Sequence, residues 1–325
     1  MKSSSKTFGV GAAVFGAMTL CAASGAAVAG SITQPGELVG LSLATPLPEG
    51  VYFVDTGSIG NDRGQYNSLL GVNIPVIAWS TPWTFLGGRV YGYAAVPSVS
   101  LGAHDLGGVP GTSLYVSALY NPALLVGEAW DLGNGFSFGT TVGGYAPVSN
   151  ALNQDFFTFN VRPSVAWAGD GWALSANVVL GITGTNHTAQ GPFGIGGLNN
   201  GWKTSPNYVN YDLAALKTFD KWTLGVVGFG SADISGVTSP WPLYPAYSKQ
   251  NQFAVGGFVG YNFGPVTLQT YLTHDVISHN YGQFVDNLFT GTTYFEKVYD
   301  TRFWMRVVVP LWNPAPAPAP IVAKY

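Results

Sequence analysis

The stretch YDTRFWMRVVVPLW, Tyr299–Trp312, places three charged side chains inside a run of aromatic and aliphatic residues. A helix would scatter these charges around its circumference, whereas a strand sends alternate side chains to opposite faces. As a strand, one face is aromatic and aliphatic, and the other carries Asp300, Arg302 and Arg306. We therefore predict a strand with an oily environment on one side and water on the other.

The composition narrows the class of protein. Of the 325 residues, 47% are hydrophobic, 14% aromatic and only 9% charged, whereas soluble domains carry about 25% charged residues. Beyond the N-terminus no apolar run reaches the length of about 20 residues that a membrane-spanning helix needs. The 44 glycines recur inside apolar segments, which disfavours helices because each costs about 1 kcal/mol relative to alanine. A membrane β-barrel or a secreted soluble β-protein fits this composition.

The N-terminus indicates export. Lys2 and Lys6 precede an apolar stretch, and the tripeptide AVA at 27–29 has the small-x-small form of a cleavage site. We predict a signal peptide over residues 1–29. The single cysteine, Cys21, falls in that segment, so we expect neither disulfides nor thiolate metal sites in the mature chain. The formal net charge of −3 gives no indication of a nucleic-acid partner.

The alternation of the final stretch recurs along the chain. It is seen in FFTFNVRPSVAW (156–167), GWALSANVVLGIT (171–183) and NQFAVGGFVGYNF (251–263). Alternating segments of about ten residues are typical of transmembrane β-strands. Short turns at 80–84, 131–136, 168–172, 219–222 and 263–265 alternate with longer loops at 57–71, 102–112, 147–153, 184–205, 231–249 and 279–297.

This pattern predicts an all-β fold, a transmembrane antiparallel β-barrel of roughly twelve strands with short periplasmic turns and longer external loops. Aromatic residues near the short turns predict an interfacial girdle. We assign residues 30–312 to the barrel with a short N-terminal segment. Residues 30–49 are expected to cover the periplasmic mouth, and residues 313–325, rich in proline and alanine, form a periplasmic tail.

The predicted register collects charged residues on the inner face of the barrel. They are Arg89, Glu128, Arg162, Asp212, Asp275, Asp300, Arg302 and Arg306. On the lipid face an arginine at mid-depth would cost about 2–4 kcal/mol. Inside, the charges could pair with one another and hold the barrel in shape, or form a constriction that selects permeants. Both interpretations stay open.

Aromatic residues share the predicted lumen with these charges. They are Tyr91, Tyr93, Phe156, Tyr271 and Trp304. Aromatic rings beside sparse charges favour an aromatic or amphipathic solute over a bulk ion.

The sequence offers little for catalysis or metal binding. The four histidines are His104, His187, His274 and His279. Ser278 and His279 are adjacent and would face opposite sides of a strand, as would His274 and Asp275. No His-Glu-x-x-His motif occurs. We expect no enzymatic activity, no metal and no cofactor.

Four stretches carry a family resemblance. They are PLPEGVYFVDTGSIGND (46–62), LYNPALLVGEAWDLGNGFSFGTTVGGYAPVS (119–149), the hairpins between 156 and 263, and TRFWMRVVVPL (301–311). In this order they resemble the outer-membrane transporters of the phenol meta-degradation pathway family, related to the SphA-like proteins. The resemblance implies an outer-membrane barrel associated with uptake of aromatic or other hydrophobic compounds. The proline-alanine tail departs from barrels that end on an aromatic residue.

We therefore expect a channel in the bacterial outer membrane that passes small, hydrophobic or aromatic molecules by passive diffusion. Its expected partners are membrane lipid, a small-molecule permeant and the outer-membrane insertion machinery. The alternatives are a closed structural or adhesive outer-membrane barrel and a secreted soluble β-protein.

Overall fold

A computed structural model describes residues 31–62, 68–104, 111, 113–148, 152, 155–186, 201–238, 248–287 and 292–314. The predicted signal peptide and most of the predicted tail lie outside the described residues. Within these ranges, no helix has the length and apolar character needed to cross a membrane.

Strands form almost all of the regular structure. In chain order they are β1 (Gly50–Asp62), β2 (Ser68–Phe85), β3 (Gly88–Ala95), β4 (Ser98–His104), β5 (Ser113–Leu119), β6 (Ala123–Gly133), β7 (Phe136–Tyr145), β8 (Thr158–Gly169), β9 (Trp172–Thr183), β10 (Tyr208–Phe219), β11 (Trp222–Asp233), β12 (Asn251–Asn262), β13 (Thr267–His279), β14 (Gly282–Asn287), β15 (Thr292–Lys297) and β16 (Asp300–Trp312).

Twelve of these strands close into one antiparallel barrel. The order around the wall is β1, β16, β13, β12, β11, β10, β9, β8, β7, β6, β3 and β2, and β2 pairs again with β1. In lipid an unpaired strand edge would leave its peptide groups without hydrogen bonds, so closure is the stable arrangement. The predicted all-β barrel of twelve strands is confirmed.

Three of the periplasmic turns have the same two-residue geometry. Leu86–Gly87, Asn134–Gly135 and Asp170–Gly171 each place both central residues at positive φ, from 45° to 87°. This is the type I′ hairpin turn, whose twist matches that of the flanking strands. Asn-Gly and Asp-Gly are the sequences that adopt it most readily, which explains why the second and third of these turns are visible in the sequence and the first, Leu-Gly, is not.

The two faces of β16 behave as the opening stretch predicts. Arg302, Trp304 and Arg306 are between 0% and 4% exposed, whereas Phe303 and Met305 are 45% and 48% exposed. The exposed side chains form part of the lipid-facing surface, and the buried ones point into the barrel.

The predicted aromatic girdle is present at the short-turn end of the barrel. Its strongly exposed members are Trp79, Trp83, Phe136, Trp172, Phe219, Trp222, Phe263 and Trp312. Several touch neighbouring rings, such as Trp79 and Trp83 with centroids 5.2 Å apart. Aromatic rings at this height mark the boundary between lipid tails and water.

Two predicted connections are wrong in position. The first turn lies at Leu86–Gly87 rather than at 80–84, because the register of β2 with β3 shifts between Ser80 and Thr84 and the strand continues through the irregularity. The predicted loop at 57–71 is mostly strand, since β1 runs to Asp62 and β2 begins at Ser68.

The sheet also continues past the closed barrel at its external end. After Val96 and Pro97, the chain continues from β3 into β4, which pairs with the first part of β2. β4 pairs in turn with β5, which leads through residues 120–122 into β6. β14 and β15 form a separate hairpin within the predicted loop at 279–297.

A glycine in the barrel wall gives a test of the packing. A Cβ added at Gly181 would lie 2.0 Å from the ring of Tyr208, which is itself fully buried. We expect Gly181→Ala to lower the free energy of unfolding in detergent by about 1–3 kcal/mol through overpacking. Urea titration followed by heat-modified gel mobility measures the effect.

Gly257→Ala is the matched control. Its added Cβ meets nothing within 4 Å, so we expect unchanged stability or a gain of roughly 0.5–1 kcal/mol, because glycine is unfavourable within a strand. Equal losses in the two variants would contradict the packing described for Gly181.

Candidate functional site

Residues 31–49, called the N-terminal plug below, run through the inside of the barrel. At one end, Ser31 accepts a hydrogen bond from Asn210 (2.8 Å), close to the external start of β10. At the other end, the carbonyl of Leu47 accepts from Ser80 (2.9 Å) near the periplasmic turns. The segment expected to cover the mouth of the barrel therefore threads the lumen instead.

Asp212 binds the backbone of the plug. Its two carboxylate oxygens accept hydrogen bonds from the amides of Gly36 (2.9 Å) and Leu38 (3.1 Å). Gly36 has φ +91°, a conformation that glycine adopts without strain. The chain therefore aims the N–H groups of Gly36 and Leu38 at one carboxylate, while the N–H of Glu37 between them donates to the carbonyl of Gln34.

Arg162 holds the side chain of the same turn. Its Nη1 forms an ion pair of 2.8 Å with Glu37, and its Nη2 donates to Tyr145 (2.9 Å) and Asn160 (3.0 Å). The guanidinium is 1% exposed.

Arg306 binds the plug through carbonyl groups. It donates to the backbone oxygens of Val39 (2.5 Å) and Glu37 (2.6 Å), and also to Thr56 (2.9 Å) and Tyr271 (3.2 Å). Its exposed fraction is 0%. Asp212 thus binds N–H groups of the plug backbone, and Arg306 binds its carbonyl groups.

The asparagines of the inner wall add further contacts. Asn177 donates to the carbonyls of Leu38 (3.3 Å) and Leu41 (2.8 Å), and Asn160 accepts from Thr33 (3.0 Å). Sequence reasoning missed these wall residues as plug ligands. Their polar side chains at inward-facing strand positions were the available signal, but the partner segment has no periodic pattern.

Four aromatic rings line the wall beneath the plug, one from each of β11, β12, β13 and β16. Trp304 stacks on Tyr271 with centroids 5.1 Å apart, and Tyr271 stacks on Phe258 at 5.9 Å. Phe229 meets Trp304 edge-on at 5.8 Å. Trp304 and Tyr271 were predicted for the lumen. Phe258 and Phe229 were not predicted for the lumen, although Phe258 is the one aromatic residue on the otherwise small and polar face of its strand.

A second charged cluster braces the wall nearer the external side. Arg302 donates to Asp300 (2.7 Å) and Ser58 (3.1 Å), and Asp275 accepts from the backbone amide of Asp300 (2.9 Å). These residues belong to β1, β13 and β16, which are neighbours in the barrel. The cluster links three strands to one another, and the bonds that define it do not involve the plug.

The two remaining predicted residues lie toward the periplasmic rim. Arg89 is half-buried and donates to the carbonyl of Thr81 (2.9 Å), across the irregular part of the β2–β3 pair. The prediction that Glu128 points into the lumen is wrong, because Glu128 lies on the outward face of β6 with exposed Val126. It is tolerated there since it lies near the turn and accepts from the amide of Gly88 (3.2 Å).

The described histidines lie apart from the charged inner wall. His274 is exposed on the outer face, where its Nδ1 lies 2.8 Å from the hydroxyl of Thr301, while Asp275 is buried on the inner face. His104 and His279 are exposed at external strand ends. His187 lies outside the described residues.

Comparison with known proteins identifies related sequences and folds. The sequence profile of the family described as "Putative MetA-pathway of phenol degradation" matches residues 50–312. No curated protein sequence matches the chain.

Among solved structures, the COG4313 outer membrane channel from Pseudomonas putida F1 superposes with a TM-score of 0.64 at 11% identity, covering 85% of this chain and 99% of that one. This similarity shows the barrel fold. The transport unit of the autotransporter AIDA-I from Escherichia coli gives a TM-score of 0.49 at 9% identity, covering 90% and 98% of the two chains. A FadL homologue from Pseudomonas aeruginosa gives 0.42 at 8% identity, covering 85% and 98%.

The Arg162–Glu37 pair provides a test of how the plug is held. In a Cys21→Ser background, the maleimide labelling rate of a Val39→Cys side chain reports plug release, because Val39 is 0% exposed. We expect Glu37→Gln to speed labelling, since it leaves the buried guanidinium without its carboxylate. Arg162→Gln alone should also speed it.

The double variant should label more slowly than the sum of the two single effects predicts. We expect a coupling free energy of about 0.5–3 kcal/mol for two groups in contact. Strictly additive effects would show that the ion pair does not hold the plug.

Proposed function

The chain belongs to the family whose profile matches residues 50–312, and from this premise we propose that it is an outer-membrane channel through which small hydrophobic molecules, aromatic ones among them, diffuse passively. The observation that carries the proposal is the plug. It crosses the lumen without joining the wall as a strand, and it is bound by hydrogen bonds and one ion pair. A segment held in this way can leave without unfolding the barrel.

The surface that the plug covers also supports a channel. The wall beneath it combines stacked rings with a few charged groups that hold fixed positions, including Arg162, Asp212 and Arg306. A barrel of this size leaves a narrow interior rather than a wide aqueous pore. Such an interior suits small solutes with an apolar face better than bulk ions.

A closed structural or adhesive barrel is the second candidate, and the same plug favours it. As long as residues 31–49 stay in place, their contacts occupy the lumen from Asn210 to Ser80. The two candidates therefore differ in one property, which is whether the plug leaves under conditions found at the membrane.

The remaining assignments belong to this proposal. We assign residues 1–29 to a signal peptide and 313–325 to a periplasmic tail, and we expect the insertion machinery of the outer membrane as a partner during assembly. We propose no catalytic role, because the described histidines lie on outward or external surfaces rather than in the lumen.

Planar-bilayer recording with two matched arginine variants tests the channel. Arg306 and Arg302 lie on the same inner face of β16, but Arg306 binds plug carbonyls, whereas Arg302 binds the wall. Hydrogen bonds from charged groups are worth about 1.5–3 kcal/mol each. Losing one such bond should therefore raise the open probability in Arg306→Gln by about tenfold or more, since 1.4 kcal/mol corresponds to a factor of ten.

Arg302→Gln should leave the open probability close to that of the wild type. Heat-shifted gel mobility confirms that each variant is folded. Silent bilayers for both folded variants, together with no uptake of a hydrophobic solute into liposomes, would support the closed structural barrel and contradict the channel.

A further inference from the structure

The plug packs closely on the four inner-wall rings, called the aromatic wall below: Phe229, Phe258, Tyr271 and Trp304. A Cβ added at Gly36 would lie 2.8 Å from Trp304 and 2.9 Å from Phe229, and one added at Gly40 would lie 2.8 Å from Phe258. At these two positions the plug brings bare backbone against the rings, where a side chain would collide, and Val39 between them packs in the same buried cluster as the rings. The surface therefore accommodates a thin group with an apolar neighbour.

A cation lies beside the rings. The guanidinium carbon of Arg306 is 5.7 Å from the centroid of Tyr271, which stacks on Trp304. Within the described ranges, the ion pairs join Arg162 to Glu37 and Arg302 to Asp300, and Arg306 has no carboxylate at ion-pair distance.

The partners of Arg306 are instead neutral oxygens. The plug supplies two of them, the carbonyls of Val39 and Glu37, and the wall supplies Thr56, Gln269 and Tyr271. Removing the plug leaves a buried guanidinium that has lost its two shortest hydrogen bonds. A carboxylate matches the paired donors of a guanidinium better than carbonyls do.

The net charge at this position also changes when the plug leaves. Glu37 departs with the plug, so the two arginines Arg162 and Arg306 remain with Asp212. Two positive charges then face one negative charge, and the vacated surface favours an anion over a neutral or cationic molecule.

We propose that the plug occupies a binding site for aromatic carboxylates, in which the ring packs on the Trp304–Tyr271–Phe258 wall and the carboxylate binds Arg306. The flat glycine backbone takes the place of the ring, and the plug carbonyls take the place of the carboxylate oxygens. An aromatic acid therefore competes with the plug and promotes its release. This inference rests on the proposed channel, for which it names a class of permeant.

Cysteine labelling of the full chain tests the competition. In the Cys21→Ser, Val39→Cys protein, the probe is benzoate. A ligand that binds only the plug-released state multiplies its population by one plus the ratio of concentration to Kd, so about ten times Kd should speed labelling about tenfold. Thr45→Cys, at an exposed plug position, should label at the same rate with and without benzoate.

Two further probes separate ring from charge. Cyclohexanecarboxylate keeps the charge without the flat ring, and benzyl alcohol keeps the ring without the charge. We expect each to accelerate labelling far less than benzoate. Equal acceleration by benzyl alcohol would overturn the carboxylate assignment, and equal acceleration by cyclohexanecarboxylate would overturn the role of the rings.

Substitutions in the barrel wall test whether benzoate acts at the proposed site. Trp304→Leu and Arg306→Lys should each weaken the benzoate effect, whereas Arg89→Gln should retain it, because Arg89 lies near the periplasmic rim and donates to the carbonyl of Thr81. Loss of the effect in Arg89→Gln to the same extent would overturn the proposed position. A variant that fails the heat-shifted gel test is replaced by its neighbour, Tyr271→Leu for Trp304→Leu.

The outcomes distinguish this inference from the channel itself. Solute flux through Arg306→Gln barrels, with wild-type labelling insensitive to benzoate, would overturn the carboxylate site and leave the channel standing. Benzoate-dependent labelling without conductance or flux in any variant would support the site and contradict passage through the barrel.

Discussion

The structure depends on the requirement that no strand edge faces lipid unpaired. β1 meets it by pairing with β16 on one side and with β2 on the other. Closure then fixes the two faces of every strand, because side chains alternate along it. In β16 this leaves Phe303 and Met305 toward lipid and encloses Arg302, Trp304 and Arg306. The charged interior is thus a consequence of satisfying the backbone.

An enclosed charge needs a partner, and here the partner is partly a peptide backbone. Asp212 binds amides of the plug and Arg306 binds its carbonyls. The consecutive tight turns of residues 34–41 satisfy both signs, since each peptide unit carries a donor and an acceptor. The charged residues predicted for the lumen therefore fall into two groups with different roles. Arg162, Asp212 and Arg306 bind the plug, whereas Asp275, Asp300 and Arg302 link neighbouring strands.

The sequence predicts the wall well because its signals are local. Alternation over about ten residues and the Asn-Gly and Asp-Gly turns are contained within single hairpins, so twelve strands could be counted without a structure. Glu128 was assigned to the wrong face because its position near the rim of the barrel matters more than its charge. Near the rim a carboxylate can accept from the amide of Gly88 and remain hydrated.

The plug could not be predicted in the same way. Its contacts join residues far apart in the chain, such as Glu37 with Arg162 and Val39 with Arg306. Residues 31–49 show neither alternation nor helical periodicity, so nothing local indicates where they go. Gly36 and Gly40 hold positive φ and lie against aromatic rings, and no local sequence pattern marks either requirement.

The way the plug is bound has a consequence for its release. Each neutral hydrogen bond contributes only about 0.5–1.5 kcal/mol, and bonds to charged groups contribute about 1.5–3 kcal/mol. The charged contacts made by Arg162, Asp212 and Arg306 therefore dominate its retention, and they converge on residues 36–39. A molecule that replaces the partners of one of these residues weakens the plug where it is held most strongly. Because the same residues lie beside the aromatic wall, binding of a solute and opening of the lumen become a single competition for one surface.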